Sequence, residues 1–142
     1  MFLDIEALKL KTKSIAEKYD LRLVILYGSY AKNKATEKSD VDIAVLGKKK
    51  ITFNEEIALN NDFAGICADL GIKEVDVKSL HNASPLFLFQ VMKDGVLLFG
   101  STYDFNSFKV YASRAYHDSY DLRKLRDIII KKRMARLNAV LK

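Results

Sequence analysis

The chain has 142 residues, 49% of them hydrophobic and 30% charged, a composition typical of a globular protein that is long enough to bury a core. A single cysteine excludes an internal disulfide bond and a cysteine-based zinc site, and no apolar run approaches the roughly 20 residues of a membrane span. Residues 1–100 carry 14 basic and 14 acidic side chains and residues 101–142 carry 10 and 4, so the net charge of +6 comes from the C-terminal segment. We therefore expect a cytoplasmic protein without a membrane partner.

The first half of the chain predicts two helices and two strands. Apolar residues recur at three- and four-residue steps over residues 4–19, which predicts an amphipathic helix with Asp4 as its N-cap. Residues 21–27 form a β-branched and aromatic run typical of a buried strand, and residues 41–46 predict a second strand. Residues 53–70 have helical periodicity and are followed by a glycine, which is a common helix stop.

The second half predicts two further strands and three helices. Residues 75–80 alternate between apolar and polar, as in a half-buried strand. A Ser-Pro pair opens a predicted helix over residues 84–93, and an Asp-Gly turn then precedes a short strand over residues 96–99. From about Tyr103 the composition predicts two helices, with a break between residues 117 and 121.

This order of elements predicts one α/β domain over residues 1–142, in which helices flank a small mixed β-sheet. We expect its core to span about residues 20–100. A basic helical segment over about residues 102–142 follows it.

Three aspartates are candidate metal ligands. Asp40 and Asp42 are two residues apart at the start of a strand, so their side chains point to the same face. Two carboxylates held that close repel each other unless a cation lies between them, and Mg²⁺ commonly binds through carboxylates and substrate phosphates. Asp76 lies between two valines of the next strand. If the two strands are neighbours, Asp76 lies close to Asp40 and Asp42. Three such carboxylates suit two Mg²⁺ ions and an in-line phosphoryl displacement, with Asp76 also able to take a proton.

Gly28 and Ser29 are candidate phosphate ligands because they end a buried strand. A glycine allows a phosphate to approach the backbone N–H groups closely, and we expect the chain to enter a helix there, whose N-terminus attracts anions. Lys32 and Lys34 follow and either contact the phosphates or are ordinary surface lysines. The spacing of a Walker-type loop is absent.

Taken together, GSYAKNKATEKSDVDIAV resembles the G-S-x10-D-x-D signature of polymerase-β-like nucleotidyltransferases, with a third acid in KEVDVKSL. The whole chain is similar in length to the minimal (MNT) members, and SPLFLFQVMKDGVLLFG resembles their helix-turn-strand segment.

The resemblance implies the polymerase-β-like nucleotidyltransferase fold and Mg²⁺-dependent transfer of AMP from ATP to a hydroxyl. It implies that Gly28 and Ser29 bind phosphate and that Asp40, Asp42 and Asp76 form the metal triad. It also implies an antitoxin that modifies a tyrosine of a partner HEPN-domain toxin, in a hetero-oligomer with that partner.

Three alternatives remain open. Transfer to a small molecule such as an aminoglycoside fits less well, because the chain has no obvious second domain to enclose it. A non-catalytic module that only covers its partner has no need of three acids. Direct nucleic-acid binding is supported only by the basic tail, which we interpret first as an amphipathic helix packed on the domain and second as a surface for a protein partner.

Overall fold

The computed structural model describes residues 3–36 and 38–141. Residue 37, and both ends of the predicted 1–142 domain, lie outside these ranges. The elements are α1 Ile5–Lys18, β1 Leu21–Tyr27, β2 Val41–Gly47, α2 Phe53–Asp69, β3 Val75–Ser79, α3 Pro85–Asp94, β4 Val96–Phe99, α4 Thr102–Asp118 and α5 Tyr120–Leu141.

The four strands form one mixed sheet in the order β3-β2-β1-β4. β1 is antiparallel to both β2 and β4, whereas β2 and β3 are parallel. A parallel pair needs a crossover connection, and α2 provides it. The sheet therefore brings β3 beside β2 although about thirty residues separate them in the chain.

Two apolar clusters cover the two faces of the sheet. The larger one packs α1 and α2 against alternate strand residues that include Val24, Ile43 and Val77. The smaller one packs α3 and α4 against the opposite face, on which Ile25 and Ala44 lie. A mixed sheet flanked by helices was predicted, and this architecture confirms it.

The local signals in the sequence explain where the helices begin. Asp4 accepts a hydrogen bond from the Ala7 N–H and caps α1, as predicted. Thr52 and Glu55 form a capping box at the start of α2, and Ser84 caps α3 with Pro85 in its first turn. The predicted strands over residues 21–27 and 96–99 agree with β1 and β4 to the residue.

One expected helix is absent. The chain was expected to enter a helix after Gly28 and Ser29, but residues 29–33 form consecutive turns. The Lys32 N–H donates to the Gly28 carbonyl, four residues back, over 3.2 Å. The Lys34 N–H donates to the Ser29 carbonyl, five residues back, over 2.9 Å, so the hydrogen bonds do not repeat as in an α-helix. The prediction of a helix N-terminus here was wrong, and any anion site depends on local N–H groups rather than on a helix dipole.

The first interpretation of the basic tail was also wrong. The two predicted helices are present, but α5 has no buried residue and does not pack on the sheet. Among residues 3–36 and 38–141, no helix is both long and apolar enough to cross a membrane.

Candidate active site

Asp42 and Asp76 lie side by side on neighbouring strands. They are register partners in the parallel β2–β3 pair, whose backbones are about 4.8 Å apart as in any sheet. Their neighbours Val41, Ile43 and Val77 are buried on the opposite face, so alternation turns both carboxylates to the face that carries α3 and α4. The predicted adjacency of these two carboxylates is therefore present.

Gly28 makes room for the Asp42 carboxylate. It follows β1 directly and has a left-handed φ of +76°, which strains any residue with a Cβ. A Cβ built on Gly28 would overlap Oδ2 of Asp42 and lie 3.1 Å from its Cγ. The backbone of the predicted phosphate turn thus comes into direct contact with the first strand carboxylate, and only glycine permits this approach.

Tyr27 completes the contacts around Asp42 and was not singled out from the sequence. It is the register partner of Asp42 across the β1–β2 pair, and its ring meets Phe87 of α3 edge-on, with 5.7 Å between centroids. Burial raises the pKa of its hydroxyl well above the usual value, and the charges of Asp42 and Asp76 add to this. Tyr27 is therefore a neutral hydroxyl at physiological pH, suited to donating a hydrogen bond rather than to acting as a base.

The carboxylate cluster carries unbalanced negative charge. Burial raises the pKa of Asp42, the charges of Asp76 and Asp40 raise it further, and Lys78 lowers it. The Lys78 ammonium lies 3.9 Å from Oδ2 of Asp76, with both side chains half exposed. Lys78 was also missed, although its position two residues after Asp76 places it on the same strand face.

Asp40 lies at the exposed rim of the cluster, one residue before β2. It interacts with Glu74, whose pKa is raised by a hydrogen bond to the Asp40 carboxyl and by the charge of Asp40. The two line a cavity of about 420 Å³ together with Lys38 and Lys73. Glu74 immediately precedes β3, and the parallel register that places it beside Asp40 was not fixed by the sequence pattern.

Within residues 3–36 and 38–141, no three His, Cys, Asp or Glu side chains converge closely enough to hold a metal ion. The structure thus brings Asp42 and Asp76 together and leaves Asp40 outside a closed triad, so the predicted three-ligand role remains a prediction. The donor set nevertheless fits Mg²⁺, because a half-buried carboxylate with a raised pKa beside a second carboxylate gains from a hard cation. Mg²⁺ ordinarily completes its shell with substrate phosphates and water.

A cavity of about 520 Å³ opens beside Gly28. It is large enough for a small-molecule ligand. Its wall includes Tyr27 and Lys32 on the strand side and Phe87 and Gln90 on α3. The Lys32 ammonium lies 3.8 Å from a carboxylate oxygen of Asp94, so this lysine is positioned at the cavity by an exposed ion pair.

The sequence family described as Polymerase beta, Nucleotidyltransferase matches residues 10–104. A Methanocaldococcus jannaschii protein, whose name gives protein adenylyltransferase as an inferred activity, is 31% identical over 77 residues, which cover 54% of this chain and 78% of that protein.

Two solved structures are similar over nearly their whole length. One is a toxin–antitoxin complex with AMP-PNP, which matches with a TM-score of 0.72 and 26% identity over 86% of this chain and 98% of that chain. The other, a tri-AMPylated HEPN toxin of Shewanella oneidensis with its MNT antitoxin, matches with a TM-score of 0.67 and 24% identity over 89% and 98%. The second likeness establishes the fold alone.

Proposed function

The chain belongs to the polymerase β nucleotidyltransferase family, and from that premise we propose that it transfers AMP from ATP to a tyrosine hydroxyl of a partner HEPN toxin and so acts as its antitoxin. The observation that carries the proposal is that Asp42 and Asp76 lie abreast on neighbouring strands and that the backbone of Gly28 approaches Asp42 closely. A pair of carboxylates beside a close-approach glycine suits a nucleotide triphosphate with Mg²⁺.

In this proposal Asp42 and Asp76, with Asp40 at the rim, hold Mg²⁺, which when bound neutralises charge on the phosphates. The Gly28 backbone and the Ser29 hydroxyl donate hydrogen bonds to phosphate oxygens. Lys32 adds positive charge at the cavity beside Gly28.

Asp76 accepts the proton of the incoming hydroxyl. The hydroxyl oxygen forms a bond to the α-phosphorus, the bond from that phosphorus to the bridging oxygen breaks, and pyrophosphate leaves. Catalysis consists mainly of positioning and charge neutralisation, as in other phosphoryl transfers.

The similar proteins support transfer of AMP to a partner protein. The names of the curated relatives give protein adenylyltransferase as an inferred activity, and the similar solved complexes are toxin–antitoxin pairs, one with an ATP analogue and one with an AMPylated HEPN toxin. The partner comes to this chain from those proteins and the Mg²⁺ requirement from the chemistry of the cluster, whereas the tyrosine acceptor comes from the family resemblance of the sequence.

The test is label transfer from α-labelled ATP to the HEPN-domain protein of the same genome, with Mg²⁺ present. We expect label on a tyrosine of that protein and loss of label when a chelator removes Mg²⁺. We expect Asp42→Asn to lower the rate by about a hundred- to a thousandfold, since single charge-stabilising groups contribute this much.

Asp69→Asn is the matched control, because Asp69 is an exposed aspartate at the end of α2 that forms an ion pair with Lys11. It should leave the rate unchanged. If folded Asp42→Asn protein labels the partner at the wild-type rate, the proposed role of the carboxylate cluster is wrong. A stable complex that never acquires label with any nucleotide would instead leave a binding module on this fold.

A further inference from the structure

Helix α5 exposes an unusual amount of apolar surface. Nine of its side chains are large and apolar, and each is at least 43% exposed. They are Leu122, Leu125, Ile128, Ile129, Ile130, Met134, Leu137, Val140 and Leu141. Exposed apolar side chains in this number, unlike single scattered ones, mark an interaction site.

The apolar residues of α5 form two separate rows. Leu122, Leu125 and Ile129 follow one row in the first half, and Met134 and Leu137 belong to a second row in the last half. At about 100° per residue these rows are roughly a third of a turn apart around the helix. A partner must therefore contact α5 from two sides along its length.

A second copy of the chain does not fit this pattern. If the first row is extended toward the C-terminus it meets the charged residues Lys132 and Arg136. If the second is extended toward the N-terminus it meets Arg123 and Asp127. Neither row therefore gives the unbroken apolar seam of a coiled coil. The helix carries seven basic and two acidic side chains, 7 − 2 = +5, and two such helices repel each other.

A membrane surface does not fit either. A helix that lies on a bilayer separates a basic face from an apolar face. In α5 the basic residues are distributed around the helix, with Lys124, Lys131 and Lys132 each next to apolar positions. A helix that is apolar on several sides is instead typical of one enclosed by protein.

The base of α5 is fixed next to the candidate site. The Arg123 guanidinium stacks 3.9 Å from the centroid of the Tyr116 ring and donates to the Tyr116 carbonyl over 2.9 Å. Tyr116 in turn stacks on Phe89 of α3 at 4.2 Å. Phe89 and Tyr116 both line the cavity beside Gly28, so a protein bound along α5 reaches that cavity.

From these contacts we propose that α5 is the docking helix for an acidic protein partner, whose apolar groove encloses both rows. This rests on the proposed function, because the docked protein is taken to be the one that receives AMP. Docking on α5 then presents the acceptor hydroxyl at the cavity, and the +5 charge of the helix selects a partner with acidic residues beside its apolar groove.

The test measures the affinity of the full chain for the HEPN-domain protein of the same genome by calorimetry. Leu125→Glu/Ile129→Glu alters the first row and Met134→Glu/Leu137→Glu the second. We expect each pair to raise Kd by at least about 30-fold, as truncation of interface anchors does. Leu10→Glu is the matched control, since Leu10 is 79% exposed on α1, and it should leave Kd unchanged.

Asp42→Asn separates this inference from the proposed function. We expect it to abolish label transfer while binding the partner as tightly as the wild type. If the wild-type chain binds the partner through α5 but never transfers label to it, the proposed function is contradicted and the docking role of α5 is supported.

Several results would overturn the inference. The first is wild-type affinity for the partner in both row variants. The second is a dimer of the chain in sedimentation velocity that dissociates in either row variant. The third is flotation of the chain with phosphatidylglycerol vesicles that is lost in both row variants. Arg123→Lys adds a further check, because it keeps the charge but loses the planar stack. We expect it to weaken partner binding about fivefold or more and to leave ATP affinity unchanged.

Discussion

At the scale of single residues, the structure depends most on Gly28. Its left-handed φ and the overlap that any Cβ would make with Asp42 are two independent reasons for glycine at the same position. The turn and the carboxylate cluster are therefore parts of one local structure. A change at Gly28 disturbs both.

We expect Gly28→Ala to abolish nucleotidyl transfer and to lower the free energy of unfolding by about 1–3 kcal/mol, because the new Cβ must displace Asp42 and adopt an unfavourable φ. Urea unfolding and the label-transfer rate measure the two effects. Gly65→Ala is the control. Gly65 lies within α2 with open space around it, so this change should raise stability by about 0.5–1 kcal/mol without altering the rate. Wild-type activity in Gly28→Ala would contradict the close approach described here.

Part of the candidate site could be predicted from single residues. The alternation within each strand was enough to turn Asp42 and Asp76 to one face, since it depends only on residue spacing. Asp40 precedes β2 and lies at the exposed rim instead. Tyr27 and Glu74 were not predicted, because their roles depend on which strands are neighbours and in what register. Lys78 was missed although its spacing from Asp76 alone places both on one face of β3. The closed metal triad stays a prediction, since spacing cannot determine how far carboxylates converge.

At the scale of elements, α1 is joined to α2 by a polar contact around Asp62. The Tyr19 hydroxyl donates to its Oδ2 over 2.7 Å and the Lys18 ammonium lies 3.1 Å from the same oxygen. The hydrogen bond from Tyr19, together with Lys18, holds the pKa of Asp62 below its usual value of 3.8. The contact joins the end of one helix to the middle of the next.

A lowered carboxyl pKa determines how this contact depends on pH. Its contribution is fully present above the unfolded-state pKa and is lost as pH falls through the lower folded-state pKa, so the loss occurs below about pH 4. We expect Asp62→Asn to lower the free energy of unfolding by at most about 1 kcal/mol at pH 7, since the group is partly exposed, and by less at pH 2.5.

Urea unfolding at both pH values measures this difference. The control is Asp69→Asn, which removes only the exposed 3.6 Å ion pair with Lys11 and should change little at either pH. A destabilisation by Asp62→Asn that is equal at pH 7 and pH 2.5 would show that the carboxylate charge is not involved.

The elements themselves were predicted closely where capping residues and strand periodicity agree, as at Asp4 and in β1. The exposed position of α5 was not predicted. An apolar row has the same spacing whether it packs on its own sheet or on another protein, so only the folded arrangement reveals that these side chains stay exposed. The turn at residues 29–33 was mispredicted for a related reason, because a single helical turn and a helix begin with the same residues.

At the scale of the whole molecule, the apolar cores lie between the sheet and α1 to α4, and α5 contributes no buried side chain to either. A chain ending at Arg126 keeps the contacts of Arg123 with α4. We expect its free energy of unfolding to differ from that of the full chain by roughly 1 kcal/mol or less, and its Tm therefore to lie within about 4 °C. Differential scanning calorimetry measures this. Unfolding of the shortened chain at room temperature would show that α5 stabilises the fold.

The parallel pairing of β2 with β3 also limits how the length of the chain can vary between homologues. A strand exposes alternate residues to each side, so losing one residue within β3 would replace Asp76 by a valine and turn the carboxylate into the apolar cluster beneath the sheet. The connections on either side of α2 are free of that constraint, because they only return the chain to the sheet. Insertions and deletions should therefore accumulate around residues 48–52 and 70–74 during evolution, while the strands that carry the two aspartates keep a fixed count.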